Sequence, residues 1–300
     1  METKVLEIIE FTDPVCTWCW GSEPVLRSLE TRFENQLKVS YVMGGLVKDI
    51  TAFYDSYNDI GGDPENSNTN IAKHWLEASN RHGMPVKTEG FKLFTKEHPS
   101  TYPQNIAYKA AQMQDEEKAN RFLRRIREAS AAEAQQTNLT EVLVELASES
   151  GLDIAQFLED FTNGKAKAAF EIDLQTTAAH KANGFPSFLV KYGDHTMLLR
   201  GYQNYSNFKA VINHLSSGEI TENNIESSEE AVLGFISKYS SVAPAEIKMA
   251  FHLSSDELEK YVDSLIEKQK ITKTIAGNGY FLSPKSNPME CDPDSGSCSI

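Results

Sequence analysis

The segment DPVCTWCW places two cysteines, Cys16 and Cys19, three residues apart. At this spacing the two sulfur atoms can close a disulfide, bind a metal ion together with two further ligands, or remain buried structural thiols. Structural zinc usually takes two closely spaced pairs, whereas the other two cysteines, Cys291 and Cys298, are separated by six residues near the C-terminus. The pattern therefore favours thiol–disulfide exchange, and no metal ion is predicted.

The elements around these cysteines follow a β-α-β pattern. Residues 4–11 are a β-branched run ending in Thr-Asp-Pro, which is typical of a buried strand followed by a turn, and residues 37–45 form a second strand. Apolar residues recur at helical spacing between them, so a helix is predicted to begin at or beside Cys16 and to kink at Pro24. The dipole and the free N–H groups of that helix end favour the thiolate and are expected to lower the Cys16 pKa below about 8.5.

Three further residues near the dithiol have predicted roles. Glu10 ends the first strand and is predicted to lie beneath the dithiol, where a buried carboxylate can accept a proton from Cys19, the resolving thiol. The alternative for Glu10 is a half-exposed acid at a strand end. Trp18 lies between the cysteines and Trp20 follows them, so both are predicted to form an apolar rim that contacts a protein substrate.

The rest of the chain divides into segments of different character. Helical spacing dominates up to residue 183, and strands return after Pro186, followed by a helix near residues 205–215. Residues 217–228 are polar and acidic, which is typical of a linker between domains. Residues 229–283 read as three helices, the third with a Ser-x-x-Glu capping box, and a hairpin around Gly-Asn-Gly; this order predicts a winged-helix module. Residues 284–300 are predicted to be a flexible tail that carries the second cysteine pair.

Charge and composition argue against several classes of partner. The net charge is −14, and residues 229–283 contain eight acidic residues and six lysines but no arginine, so nucleic-acid binding is not expected. We interpret LRRIRE, at residues 123–128, as a solvated basic helix face. No apolar run approaches the ~20 residues of a membrane span, and no secretory signal pattern is present, so a cytoplasmic location is predicted. The histidines show no metal-binding spacing and no glycine-rich phosphate loop occurs, so no cofactor is predicted.

Glu10, the Cys16-x-x-Cys19 pair, Pro24 and a Gly-Phe-Pro186 sequence before a strand together resemble the thioredoxin fold. The helical insertion resembles the DsbA-like branch of that fold, and its motifs are similar to the cytoplasmic FrnE-like members. The resemblance implies an α/β thioredoxin fold over residues 1–216, with a helical insertion near residues 63–183. It further implies a cis Pro186 facing Cys16, a substrate groove shaped by Phe185, and thiol–disulfide oxidoreductase activity on proteins.

A second resemblance concerns the layout of the whole chain. A DsbA-like domain followed by a winged-helix module is also the layout of the adaptor family that delivers the transcription factor Spx to the ClpXP protease. Two functions therefore remain open: an oxidoreductase that acts on protein disulfides, and an adaptor that binds a client. The C-terminal module is predicted to mediate protein interaction or dimerisation. Cys291 and Cys298 are predicted to act as an accessory dithiol that exchanges with the first pair, with idle thiols as the alternative.

Overall fold

A computed structural model describes residues 5–285 and the backbone of two short strands in the tail. A four-stranded sheet forms the centre of the N-terminal domain, which we define as residues 5–216. Its strands are β1 (Leu6–Thr12), β2 (Leu37–Met43), β5 (Ser187–Tyr192) and β6 (His195–Arg200). The strand order is β2-β1-β5-β6, with β1 and β2 parallel and the other pairs antiparallel.

Two helices connect β1 to β2, where the sequence predicts one kinked helix. These are α1 (Thr17–Trp20) and α2 (Glu23–Arg32). A further helix, α9 (Tyr205–Ser216), follows β6 and also packs on this sheet. Pro24 lies in the first turn of α2 rather than at a kink. Proline is tolerated there because the first N–H groups of a helix have no intrahelical acceptor. The break after Trp20 therefore starts a new helix.

A helical insertion separates β2 from β5. It begins with a small hairpin and continues with six helices: β3 (Tyr54–Asp55), β4 (Ile60–Gly61), α3 (Pro64–His82), α4 (Tyr102–Gln112), α5 (Glu116–Ala131), α6 (Thr140–Glu149), α7 (Ile154–Thr162) and α8 (Lys165–Ala179). Aspartate side chains cap three of these helices at Asp63, Asp115 and Asp153. Alanine-rich faces let α4 and α5 pack closely around Phe122 and Phe157. The insertion thus has its own apolar core.

The C-terminal module, which we define as residues 229–285, consists of three helices followed by a hairpin, in the order that the sequence predicts. The elements are α10 (Glu229–Tyr239), α11 (Pro244–Phe251), α12 (Ser255–Glu267), β7 (Ile271–Ala276) and β8 (Gly279–Pro284). The predicted capping box is confirmed: Ser254 caps α12, and Glu257 bonds back to its backbone. A separate apolar cluster, which includes Phe235, Ile247 and Leu265, holds these elements together.

The segment between the two domains lacks helix and strand but is held against the N-terminal domain. Ile220 is buried, the Asn223 N–H donates to the Arg32 carbonyl at 2.7 Å, and Gln36 bonds the backbone of Thr221 in both directions. The acidic composition of residues 217–228 predicts a linker, and the observed contacts make it an attached one. The module beyond it packs with α11 along α2, where Ser28 Oγ donates to the Met249 carbonyl at 3.2 Å.

The predicted tail begins where β8 ends. Two antiparallel two-residue strands occur there, β9 (Glu290–Cys291) and β10 (Cys298–Ser299), but the side chains of Cys291 and Cys298 lie outside the described residues. The accessory dithiol therefore stays a prediction. Throughout residues 5–285, no helix combines the length and the apolar character needed to cross a bilayer.

Candidate functional site

The loop before the dithiol is fixed by a buried carboxylate. The Asp13 carbonyl accepts a hydrogen bond from Cys16 N at 3.1 Å, and its side chain accepts one from Val15 N at 3.0 Å. The other carboxylate oxygen accepts three more hydrogen bonds, from Leu46 N, Thr101 Oγ1 and Asn105 Nδ2. Burial nevertheless raises the pKa of Asp13. These bonds tie the start of α1 to the segment after β2 and to α4, so the position of Cys16 is set by three parts of the chain.

Cys16 and Cys19 occupy different environments within one turn of helix. Cys16 is the N-cap of α1, and its sulfur accepts a hydrogen bond from Cys19 N at 3.4 Å. The same sulfur lies 3.5 Å from the Phe185 carbonyl, to which the thiol donates. Cys16 is 6% exposed and Cys19 is completely buried, and both are free thiols. Cys16 is therefore the more accessible of the two thiols.

The loop that faces Cys16 contains the expected proline. The Phe185–Pro186 peptide bond is cis, and Pro186 is buried directly before β5. The Phe185 ring lies so close to Gly44 that a Cβ there would come within 2.0 Å of the ring. Glycine at this position is thus what admits Phe185 beside the site. Phe185 and Pro186 occupy the side of the dithiol where the resemblance places a bound peptide.

Glu10 lies beneath the dithiol, completely buried. Its neighbours across the sheet are Tyr41 on β2 and Phe188 on β5. Burial raises the pKa of Glu10 to about 7, although Arg127 opposes this shift. Burial and the adjacent Cys16 raise the pKa of Cys19 well above its ordinary value. A buried carboxyl group with a pKa near neutrality, next to a thiol whose pKa is raised, is suited to accept the proton of that thiol.

A set of buried ionic side chains surrounds Glu10, and we call it the arginine–glutamate cluster. It contains three arginines and four glutamates: Arg27, Arg124, Arg127, Glu10, Glu23, Glu128 and Glu246. Burial alone raises the pKa of Glu23, but Arg127, Arg124 and Arg27 outweigh it and hold that pKa below its ordinary value. Nearby, Arg125 pairs with Glu133 and Glu149, and Glu30 accepts from the Tyr239 hydroxyl. These groups border the cluster, because Glu30 interacts with Arg27 and Glu23, and Arg125 interacts with Glu128.

The two tryptophans differ in position. Trp18 is partly exposed and packs edge-on against His74 and His82, with Tyr202 at 5.7 Å, so it lies at the rim as predicted. Trp20 does not lie at the rim: it is 1% exposed, and its indole N–H donates to the Pro85 carbonyl at 2.9 Å. The helical turn from Trp18 to Trp20 points it into the interior, where Arg124 stacks on its ring at 4.4 Å.

The interpretation of LRRIRE as a solvated basic face is wrong for two of its three arginines. Arg124 and Arg127 are buried in the arginine–glutamate cluster, and only Arg125 reaches the edge of the protein. Arg124 has one local partner, Glu128 four residues on, but their other partners lie more than 100 positions away in the chain, at Glu10, Glu23 and Glu246, and no local pattern identifies those. The sequence signal available was the alanine-rich run after Arg127, which indicates a buried helix face.

Within residues 5–285, no three His, Cys, Asp or Glu side chains are grouped closely enough to hold a metal ion. The second cysteine pair lies outside these residues.

The fold agrees with that of known proteins. The family model described as Thioredoxin matches residues 10–210. Two solved structures with this fold are a putative protein disulfide isomerase from Nitrosomonas europaea (21% identity, TM-score 0.60) and the cytosolic disulfide reductase DsbM from Pseudomonas aeruginosa (22% identity, TM-score 0.54). They cover 72% and 70% of this chain, and 99% and 98% of their own chains are matched.

Curated relatives extend the similarity through the C-terminal module. The ClpXP adapter protein SpxH of Halalkalibacterium halodurans is 27% identical over 282 residues, which is 93% of this chain and 88% of that protein. The ClpXP adapter protein SpxH of Bacillus subtilis is 26% identical over 284 residues, covering 93% and 89% of the two chains. With the family model spanning two thirds of the sequence and the sheet, insertion and dithiol in place, the chain belongs to the thioredoxin family and has the DsbA-like form of its fold.

Proposed function

We propose that this protein is an adaptor that binds a client protein through its N-terminal domain and delivers it to the ClpXP protease. The observation that carries the proposal is the extent of similarity. The SpxH adapters correspond to 93% of this chain, including the C-terminal module, whereas the disulfide isomerase and DsbM structures correspond only to about 70% of it. A module with no counterpart in those oxidoreductase structures is thus shared with the adapters.

The surface near the dithiol supports client binding. Leu46 is exposed and bonds through its N–H to Asp13, in the loop before Cys16, and Tyr54 and Tyr57 of the β3–β4 hairpin have 71% and 92% of their surfaces exposed. Asp55 of that hairpin lies close enough to His74 to oppose the lowering of its pKa by burial. His74 in turn contacts Trp18. Aromatic side chains of this kind are typical of protein-binding surfaces.

In the adaptor function, the surface matters and the sulfur chemistry does not. With purified ClpXP and Spx as the client, we expect this protein to accelerate degradation. The Cys16→Ser, Cys19→Ser double variant should keep the rate within a factor of about two, because two near-isosteric changes should alter binding by less than ~0.5 kcal/mol. The measurement is loss of client over time on a gel. If ClpXP degrades the client at the same rate with and without the wild-type protein, the adaptor proposal is wrong.

A second function, thiol–disulfide exchange, is favoured by the geometry of the dithiol. The Cys16 thiolate attacks one sulfur of a substrate disulfide, which forms a mixed disulfide and releases the other sulfur as a thiolate. Cys19 then gives its proton to Glu10 and attacks the Cys16 sulfur. The Cys16–Cys19 disulfide forms, and the substrate leaves with the electron pair and takes up a proton. The substrate disulfide is reduced and the protein dithiol is oxidised.

Insulin reduction with dithiothreitol as the electron source tests this second function. We expect Cys16→Ser to lower the rate to that of dithiothreitol alone, because a hydroxyl does not form a mixed disulfide. Cys19→Ser, reduced beforehand and mixed with insulin after removal of dithiothreitol, should instead accumulate covalent protein–substrate adducts, visible on non-reducing gels. Equal rates for the wild type and Cys16→Ser would contradict the proposal of exchange and leave the adaptor proposal untouched.

A further inference from the structure

The C-terminal module inserts a buried carboxylate into the N-terminal domain. Glu246, in the first turn of α11, is completely buried, and it accepts hydrogen bonds from Arg124 Nη1 at 2.9 Å and Nη2 at 3.1 Å. Arg27 Nη1 lies 2.8 Å from the same carboxylate, and Ala243 N donates to it at 2.6 Å. Because this charge is removed from water, its field is screened weakly and reaches other members of the arginine–glutamate cluster.

A continuous series of contacts leads from Glu246 to the dithiol. Arg27 and Arg124, which bind Glu246, also approach Glu23 at 3.8 Å and 3.5 Å. Glu23 binds Arg127 Nη1 at 2.5 Å, and the other terminal nitrogen of Arg127 lies 3.4 Å from Glu10. Arg127 is therefore shared between two carboxyl groups and lies closer to Glu23. If Arg27 or Arg124 bound Glu23 more closely, Arg127 would be freer to approach Glu10.

The balance of charge in the arginine–glutamate cluster makes this sharing consequential. Among its seven defined members, four carboxyl groups exceed three guanidinium groups by one, so one carboxyl can hold a proton without leaving an arginine unpaired; at its border, Glu30 adds a carboxyl beside Arg27 and Arg125 a guanidinium beside Glu128. Glu10 lies farther from Arg127 than Glu23 does, so Glu10 is the carboxyl group expected to carry the proton. The titratable and polar groups that interact with Glu10 belong to five other elements and to its own strand, and its β5 neighbour Phe188 is uncharged: Arg127 of α5, Glu23 of α2, Cys19 of α1, Tyr41 of β2, Tyr108 of α4 and the hydroxyl of Thr12 on its own strand.

We propose that Glu246 is a positioning residue for the dithiol: by engaging Arg27 and Arg124, it keeps Arg127 on Glu23 and at the longer distance from Glu10, the carboxyl group beneath Cys19. The C-terminal module thereby contributes a residue, Glu246, to the set of charges beneath Cys19. This inference deepens the proposed thiol exchange and rests on it for its consequence, but the protonation of Glu10 can be measured without any activity.

The carboxyl carbon of Glu10, followed by NMR in protein labelled with [δ-13C]glutamate, gives this protonation directly. Its resonance is assigned by its disappearance in Glu10→Gln. We expect a titration midpoint near pH 7 in the wild type. In Glu246→Gln the midpoint should fall by about one unit, the size expected when an opposite charge moves closer to a carboxyl group. Three carboxyl groups then face three guanidinium groups, and Arg127 is free to pair with Glu10.

Charge balance gives a rescue that a purely structural role does not. Adding Arg27→Gln to Glu246→Gln removes one guanidinium group, restores the excess of one carboxyl, and should return the midpoint towards 7. Asn278→Ala is the neutral control, since it removes two hydrogen bonds of the same module, to Val86 N and Ser79 Oγ, without changing a charge. Its midpoint should equal that of the wild type. Equal midpoints in the wild type and Glu246→Gln, or a fall in Asn278→Ala as large as in Glu246→Gln, would overturn the proposal.

The pH profile of insulin reduction separates this inference from the proposed exchange. If exchange occurs, the rate of insulin reduction should increase with pH as Glu10 ionises and becomes able to accept the proton of Cys19. In Glu246→Gln this increase should occur at lower pH than in the wild type, by the same amount as the shift of the NMR midpoint. A wild type without activity would refute the exchange and leave the NMR result standing. A shifted rate profile with an unshifted Glu10 midpoint would refute the role of Glu246.

Discussion

Replacing Arg127 with methionine should lower the free energy of unfolding by about 3–5 kcal/mol at neutral pH, the usual cost of leaving buried charges without a partner. Arg127 is completely buried and is the only group of the arginine–glutamate cluster that contacts both Glu10 and Glu23. Methionine keeps much of the volume and removes the charge together with the 2.6 Å hydrogen bond to Thr12 Oγ1. Urea unfolding followed by circular dichroism measures the loss.

Arg121→Met is the matched control for this prediction. Arg121 lies on the same helix, α5, but is exposed, so its replacement should change the free energy of unfolding by no more than about 0.5 kcal/mol. The loss in Arg127→Met should also shrink as pH falls, because protonation of Glu10 and Glu23 removes the uncompensated charges. A loss below ~1 kcal/mol at neutral pH would show that Arg127 does not neutralise these carboxyl groups.

The stability of the protein should depend on pH through Glu10. The pKa of this carboxyl is about 7 in the folded protein, against 4.5 ordinarily, so the folded state binds the proton more tightly than the unfolded chain does. The resulting stabilisation is fully present below pH 4.5 and is lost as pH rises through 7. A shift of this size corresponds to about 3 kcal/mol. Glu10→Gln resembles the protonated carboxyl at every pH and escapes this loss.

The stability difference between Glu10→Gln and the wild type should therefore grow by about 2.5 kcal/mol in favour of the variant from pH 5 to pH 8. Urea unfolding at half-unit intervals of pH measures it. Glu7→Gln is the matched control: Glu7 lies on the same strand with half of its side chain exposed, and its difference from the wild type should stay constant over this range. A constant difference for Glu10→Gln would mean that Glu10 is ionised throughout, held so by Arg127.

The elements that local patterns specify could be predicted from the sequence. The strand before the dithiol, the hairpin around Gly-Asn-Gly and the cap at Ser254 all follow from residues within a few positions of one another. The thioredoxin fold itself is confirmed by the family model and the solved structures. The buried place of Glu10 beneath the dithiol also follows from its register at a strand end. Its part in proton transfer, and dimerisation through the C-terminal module, stay predictions.

The features that long-range contacts specify could not be predicted. Arg124 and Arg127 carry charges that normally face water, and their burial is made tolerable by the distant carboxyl groups of Glu10, Glu23 and Glu246 together with the local Glu128. Trp20 is one residue from Cys19, and nothing local indicates that Pro85 and Phe281 enclose it. Residues 217–228 have the composition of a free tether, yet hydrogen bonds to the Arg32 carbonyl and the Gln36 side chain attach them. Tertiary partners decide each of these cases.

The packing of α11 along α2 limits how this chain can be divided. A fragment ending at residue 216 keeps every strand of the central sheet. It would, however, expose the part of Trp20 that Phe281 covers, and it would leave Arg27 and Arg124 without their partner Glu246. Such a fragment therefore loses both apolar contacts and a carboxylate that neutralises buried arginines. Truncation studies that treat the first 216 residues as a free-standing catalytic unit would thus report on a damaged protein, and its two halves should melt as one cooperative block.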